Sequence, residues 1–181
     1  IRQSASMLAA GWVMPSVWGV KNQASVSAND QIRVGLIGCR SMGWADLTDI
    51  MRQPEVRCVA LCDIDQKILA DRTAELTKQT GKKPDGYDDY RKMLERKDMD
   101  AVIIGTPDHW HCLQLVDACA AGKDVYVEKP IANSIAECDL MVAAARRYNR
   151  VVQVGQQQRS GAHWHDMKRY LESGQLGKRA K

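Results

Sequence analysis

Five short apolar runs, at 32–38, 56–62, 101–105, 124–127 and 151–155, are separated by longer stretches whose apolar residues recur at helical spacing. An apolar run of about four to eight residues between amphipathic helices is the pattern of a strand buried on both faces. Strands that alternate with helices pack as a parallel sheet with helices on both sides, so the fold class is α/β, a doubly wound parallel sheet. One helix is well marked. Ser134 and Glu137 form a capping-box pattern, and Ile135, Cys138, Met141, Val142 and Ala145 follow at helical spacing. Gly81 to Tyr87 is dense in turn formers and reads as a loop. There is no internal repeat or low-complexity tract.

The first run, Ile32 to Gly38, leads into Cys39-Arg40-Ser41-Met42-Gly43 and then a helix. This is the outline of a dinucleotide fingerprint on a Rossmann-type fold. Gly38 takes the tight-turn place and Gly43 the helix-packing place, but Arg40 stands where a second glycine would admit the pyrophosphate. The Arg40 side chain either swings out to pair with pyrophosphate oxygens or weakens cofactor binding. Asp63 closes the second run. A carboxylate there accepts ribose hydroxyls and repels a 2′-phosphate, which favours NAD over NADP. Asp65 adds negative charge in the same sense.

Ligands of open parallel sheets bind beyond the carboxyl ends of the strands. Glu128-Lys129-Pro130 follows the run at 124–127, which puts a lysine at that edge; a charged turn is the plainer reading of the same three residues. Thr106-Pro107 follows the run at 101–105 and faces the same edge, with His109, Trp110 and His111 next. The two histidines are read as ligand contacts or as ordinary helix-start packing. A lysine can take the proton of an alcohol being oxidised if burial or a nearby cation lowers its pKa.

Taken in order, the Gly38–Gly43 turn, Cys62-Asp63, Gly105-Thr106-Pro107-Asp108-His109-Trp110-His111, Ala121 to Pro130 and Val154-Gly155-Gln156-Gln157-Gln158-Arg159-Ser160 resemble the glucose-fructose oxidoreductase / inositol dehydrogenase / rhizopine catabolism (Gfo/Idh/MocA) family. The likeness runs over roughly 32–180, and the Asp-His-Trp-His and Gln-Gln-Arg-Ser segments are most similar to its exported bacterial branch. The resemblance implies an NAD-dependent oxidoreductase acting on a sugar or polyol. In it Gly38, Arg40, Ser41, Met42, Gly43, Asp63, Thr106, Pro107, His109, His111 and Glu128 would border the cofactor. Lys129 would bind the substrate hydroxyl and share its proton transfer, while Gln157 and Arg159 would line the sugar end; a polar turn is the alternative for those two.

The resemblance also sets the domains. Residues 1–30 are expected to be an export-signal remnant and linker, 31–160 the NAD(P)-binding domain, and 161–181 a connecting helix at the start of a truncated substrate domain. The family's C-terminal α+β substrate domain is expected to be missing from these 181 residues. Two further readings stay open: an enzyme that recycles NAD within each turnover while cleaving or epimerising a glycoside, and a non-catalytic dinucleotide-binding module. A homo-oligomer is compatible with the full-length protein.

Composition narrows the partners. A net charge of +4 is small, and the basic residues are scattered, as at Arg146-Arg147 and the tail Lys178, Arg179 and Lys181. No basic stripe interleaved with aromatics is present, so nucleic acid is not an expected partner. The six cysteines do not make a disulfide framework. Cys58 and Cys62 are about 13 Å apart along one strand, and Cys112 and Cys119 about 10 Å apart along one helix. No spacing suits a metal site; His163 and His165, two apart on a helix beside Asp166, point in different directions. Ser4 to Val20 is a weakly apolar run of small residues, read as an export signal, with the twin-arginine route reconciling free thiols and NAD with a periplasmic address. It is too short for a stable membrane span. If instead it is a first helix docked on the domain, the protein is cytoplasmic.

Overall fold

The computed structural model describes residues 30–177; the segment read as an export signal and the tail at Lys178, Arg179 and Lys181 lie outside the described residues. The described residues form a six-stranded sheet of order β3-β2-β1-β4-β5-β6, parallel at every pairing. The strands are β1 (Ile32–Ile37), β2 (Val56–Cys62), β3 (Asp85–Tyr87), β4 (Ala101–Ile104), β5 (Asp124–Glu128) and β6 (Val152–Gly155). The helices are α1 (Ser41–Ile50), α2 (Gln66–Thr80), α3 (Tyr90–Leu94), α4 (His111–Ala120), α5 (Ile135–Arg147) and α6 (Ala162–Glu172). The order reverses between β1 and β4, and such a switch point opens a crevice at the carboxyl ends of the strands.

Alternation along the strands builds two cores. Val34, Leu36, Cys58, Leu61 and Ile103 pack with Trp44 and Leu47 of α1 and Leu69 and Leu76 of α2. Val59, Cys62, Val102, Ile104, Val125 and Val127 pack against α3, α4 and α5 on the other face. Side chains of period two make this division. Val125 and Val127 enter one layer while Tyr126 enters the other, the layer of α1.

Two expectations are corrected. The loop read over 81–87 ends in β3, whose Asp85, Gly86 and Tyr87 pair with Ala60, Leu61 and Cys62. Asp and Gly are poor strand formers, so pairing to β2 overrides local preference in a strand of only three residues. On α5 the buried positions are Met141 and Ala144, whereas Ile135 and Val142 are 83% and 47% exposed. The apolar stripe is therefore rotated from the one spaced out in the sequence. The cap itself forms: Ser134 Oγ accepts the Glu137 amide at 3.2 Å, and Glu137 Oε2 accepts the Asn133 amide at 2.8 Å.

The six cysteines are free thiols, and burial pushes Cys39, Cys58 and Cys62 up to about 12. A different buried group anchors the amino-terminal side of the sheet. Lys123, just before β5, is 6% exposed and its ammonium donates to the Met99 carbonyl at 2.9 Å and to the Arg96 carbonyl. Burial lowers its pKa, and the carbonyls replace its lost water. Lys123→Met leaves both carbonyls unpaired, and urea denaturation should register a loss of about 1–3 kcal/mol; an unchanged midpoint would mean that water replaces the ammonium.

Candidate functional site

At the switch point three glycines meet backbone to backbone. Gly38 has φ +87°, donates its N–H to the Cys62 carbonyl at 2.9 Å, and has no room for a side chain, since a Cβ there would lie 2.8 Å from Gly105 and Thr106 backbone atoms. A Cβ on Gly43 would lie 2.3 Å from the Gly38 oxygen, and one on Gly105 2.4 Å from Gly43 Cα. The notch thus draws β1, α1 and β4 together where α1 begins. No side chain caps the start of α1, so its first amides point into the crevice without an internal acceptor. Amides at a helix start are donors for an anionic group such as a pyrophosphate. Ser41 and Met42 are exposed on this turn, and Ser41 has φ 34°, an uncommon backbone for a residue with a side chain.

Asp63 sits directly after β2 and reaches back to the turn. Its Oδ2 accepts the Cys39 N–H at 2.8 Å and its Oδ1 the Asp65 N–H at 2.9 Å. Each oxygen keeps a lone pair for a hydroxyl, so the carboxylate is both a brace for the turn and an acceptor for a diol. Asp65 has a different duty from the one read in the sequence. Its Oδ1 caps α2 by accepting from Lys67 at 3.0 Å and Ile68 at 3.2 Å, and its Oδ2 pairs with the Arg40 guanidinium. The Ile68 amide first, and Arg40 after it, hold its carboxyl below the usual carboxylate range. Arg40 therefore directs its guanidinium to Asp65, and its charge offsets that of the carboxylate.

The β4 side is tied down by His111. This ring is 1% exposed, with Nε2 2.8 Å from the Thr106 carbonyl and Nδ1 2.9 Å from the Pro130 carbonyl. A neutral imidazole donates at one of these and an imidazolium at both. The ring joins the loop after β4 to the loop after β5, so it holds Thr106 and the Lys129-Pro130 segment in register, and both its nitrogens face protein. Thr106 Oγ1 donates to Gln114 Oε1 at 2.7 Å. Pro107 precedes a 3-10 turn, Asp108–Trp110, on which His109 and Trp110 stand exposed.

Glu128 is the last residue of β5 and only 4% exposed. Its Oε2 accepts the Lys129 N–H at 3.1 Å and its Oε1 the Gln157 amide at 3.3 Å. Gly155 makes space for it, because a Cβ there would fall 2.5 Å from Glu128 Oε1. The Lys129–Pro130 peptide is cis. Lys129 and Arg159 are exposed, and among the described residues neither side chain has a hydrogen-bonding partner. The edge therefore gathers Gly38, Gly43, Asp63, Thr106, Glu128, Lys129 and Gln157, while His109 and Arg159 stand at its exposed margin.

Sequence reasoning missed Asp46. It lies on the buried face of α1, 8% exposed, with Oδ2 lacking any hydrogen-bonding partner, and the buried Glu128 is its neighbour. Burial first, and the neighbouring Glu128 next, push its carboxyl up to about 7. Burial, then Asp46 and Glu128, push the Tyr126 hydroxyl up to about 12. A polar residue one position before Leu47 on an amphipathic helix gives no sign in the sequence that it faces inward.

The crevice fits a dinucleotide on its own geometry: a backbone cradle that a Cβ would fill, helix-start amides, and a carboxylate at the end of the second strand. Comparison with known proteins agrees. The Gfo/Idh/MocA profile, described as "Oxidoreductase family, NAD-binding Rossmann fold", matches residues 32–156. A glycosyl hydrolase family 109 protein of Shewanella sp. (strain W3-18-1) is 35% identical over 122 residues, covering 65% of this chain and 27% of that protein. An alpha-N-acetylgalactosaminidase of Shewanella oneidensis is 33% identical over 120 residues, covering 64% and 26%. The chain thus spans about a quarter of the length of these curated relatives. Scyllo-inositol dehydrogenase from Lactobacillus casei, solved with bound NAD(H) and scyllo-inositol, superposes with a TM-score of 0.73 at 25% identity, over 82% of this chain and 43% of that one.

Proposed function

The chain belongs to the Gfo/Idh/MocA oxidoreductase family, and from that premise we propose that it is the cofactor-binding part of an NAD-dependent oxidoreductase acting on a sugar or polyol. The observation that carries this reading is the Gly38–Gly43–Gly105 cradle, with Asp63 braced on one side and Lys129 at the same sheet edge. NAD, when bound, accepts or returns a hydride at its nicotinamide ring. The rest belongs to the protein. The cradle and the amides of α1 receive the pyrophosphate, and Asp63 accepts the ribose hydroxyls. His111 fixes the two loops that flank the nicotinamide end, bordered by Thr106 and Pro107 with His109 at the margin. Lys129 receives the substrate hydroxyl and takes its proton as the hydride leaves, and Gln157 and Arg159 contact the remaining hydroxyls.

Calorimetric titration with NAD and NADP tests this reading. NAD is expected to bind saturably, NADP more weakly. Asp63→Ala should weaken NAD by roughly tenfold to a hundredfold, the worth of a hydrogen bond to a charged acceptor, about 1.5–3 kcal/mol. A folded sample that binds neither dinucleotide would sink the proposal.

The glycosyl hydrolase relatives support a second reading, in which transient oxidation of a sugar drives glycoside cleavage and NAD is regenerated in each turnover. Net NADH release with a free sugar separates the first from this one. We also propose export to the periplasm, on the small-residue apolar run Ser4 to Val20. Among the described residues no helix is long and apolar enough to cross a membrane. The division into a linker to residue 30, a dinucleotide domain over 31–160 and a following connecting helix belongs to the same proposal.

A further inference from the structure

Asp46 and Glu128 come from different elements and meet out of water. Alternation along β5 sends Tyr126 to the α1 side, and Glu128, two residues on, shares that side. Asp46 meets it from the buried face of α1, four residues after the Arg40-Ser41-Met42 turn ends. Two ionised carboxylates so close and so buried repel each other, and an ionised Asp46 would leave Oδ2 with nothing to accept from. A single proton removes both objections, since a carboxylic acid donates to a neighbouring carboxylate.

We propose that Asp46 is a positioning residue of the crevice: kept as a carboxylic acid, it donates to Glu128 and fixes that carboxylate where it accepts the Lys129 amide and the Gln157 side chain. This rests on the function proposed above. The pair bolts α1, whose start receives the pyrophosphate, to the ends of β5 and β6, which carry Lys129 and Gln157. Asp46 is faced by Glu128 and Tyr126 from β5 and by Asp49 from α1. β1 and β4 meet α1 through the apolar Val34, Leu36 and Ile103, and on α2 Arg72 stacks on Trp44 while pairing with Glu75. Raised above its unfolded value, the acid stabilises the fold most below about pH 4, and that contribution is lost as pH rises through about 7. The crevice should loosen over the same window.

The test compares wild type, Asp46→Asn and Asp46→Ala across that window by NAD calorimetry, thermal unfolding and infrared detection of a protonated carboxyl group. Wild type is expected to lose NAD affinity roughly tenfold between about pH 6 and about pH 8. Its unfolding temperature should fall over the same range, and the carboxyl band should titrate away. Asp46→Ala weakens NAD at every pH. Asp46→Asn, whose amide donates at any pH, rescues that loss, removes the band and flattens both pH slopes. Should Asp46→Asn unfold, Glu128→Gln gives an independent reading: without its neighbour's charge Asp46 ionises more readily, so the band must vanish at a lower pH. The proposal is overturned if wild type has no band, or if Asp46→Asn keeps the wild-type pH slopes. NAD binding with flat slopes and no band would discard the acid pair and leave the proposed function standing. A titrating band with a matching unfolding slope, but no NAD binding at any pH, would support the pair and discard the function.

Discussion

Gly43→Ala should lower the unfolding free energy by about 1–3 kcal/mol and cut NAD affinity by more than roughly tenfold. The reason is space alone. Gly43 has an ordinary helical backbone, but its added Cβ would meet the Gly38 oxygen at 2.3 Å and Gly105 Cα at 3.1 Å. These are backbone atoms, so no rotamer change relieves the clash, and α1 must lift from β1 and β4. Lifting it moves the helix-start amides from the pyrophosphate. Gly105→Ala strikes the same notch from the other wall, 2.4 Å from Gly43 Cα, and should behave alike. Gly81→Ala is the control. Gly81 ends α2 with φ 70° and nothing within 4 Å of its would-be Cβ, so the change costs only the left-handed backbone, about 1–2 kcal/mol, and should leave NAD binding intact. Urea denaturation and calorimetry on the three variants decide it; a Gly43→Ala protein that binds NAD like wild type would mean the close approach is not needed.

The legibility of this fold followed the strength of local signals. β1, β2, β4, β5 and β6 were readable because each is a compact apolar run, and two-sided burial demands that. β3 was not, because three edge residues paired on one side need little hydrophobicity, and Asp85-Gly86 carries the signature of a turn. In the candidate site, Gly38, Gly43, Asp63 and Lys129 could be placed at the sheet edge from spacing, since chain geometry fixes where a turn and a strand end fall. What the spacing could not supply was tertiary partnership. Asp65 looked like added charge for the ribose end, but it spends one oxygen on α2 amides and the other on Arg40. His111 stood open between ligand contact and helix-start packing, and what spacing could not show is that its ring bridges two backbone carbonyls. Gly105 was one letter of a motif and turned out to be the second wall of the cradle. Asp46 was invisible because its meaning depends on Glu128, which is far away in the chain and reaches the same side of the sheet only through strand alternation.

Lys129 carries the largest expected effect on turnover. In the full-length protein Lys129→Ala should lower kcat with a sugar or polyol substrate by about 10²–10⁴-fold, the range for losing a positioned proton acceptor. NAD affinity should change little. Glu128 accepts the Lys129 backbone N–H, which alanine retains, and the Lys129 side chain has no bond to the cradle, Asp63 or Thr106. Lys129→Arg sharpens the argument. Arginine keeps the positive charge but is not deprotonated in proteins, so it preserves electrostatic attraction for the substrate and cannot take its proton. A base requires that Arg be nearly as inactive as Ala in kcat while retaining more of the substrate affinity; a merely electrostatic lysine requires that Arg restore turnover. Lys129 is exposed among the described residues, and a lysine accepts protons near neutrality only when desolvated or placed near another cation. The covering must then come with the bound substrate and cofactor.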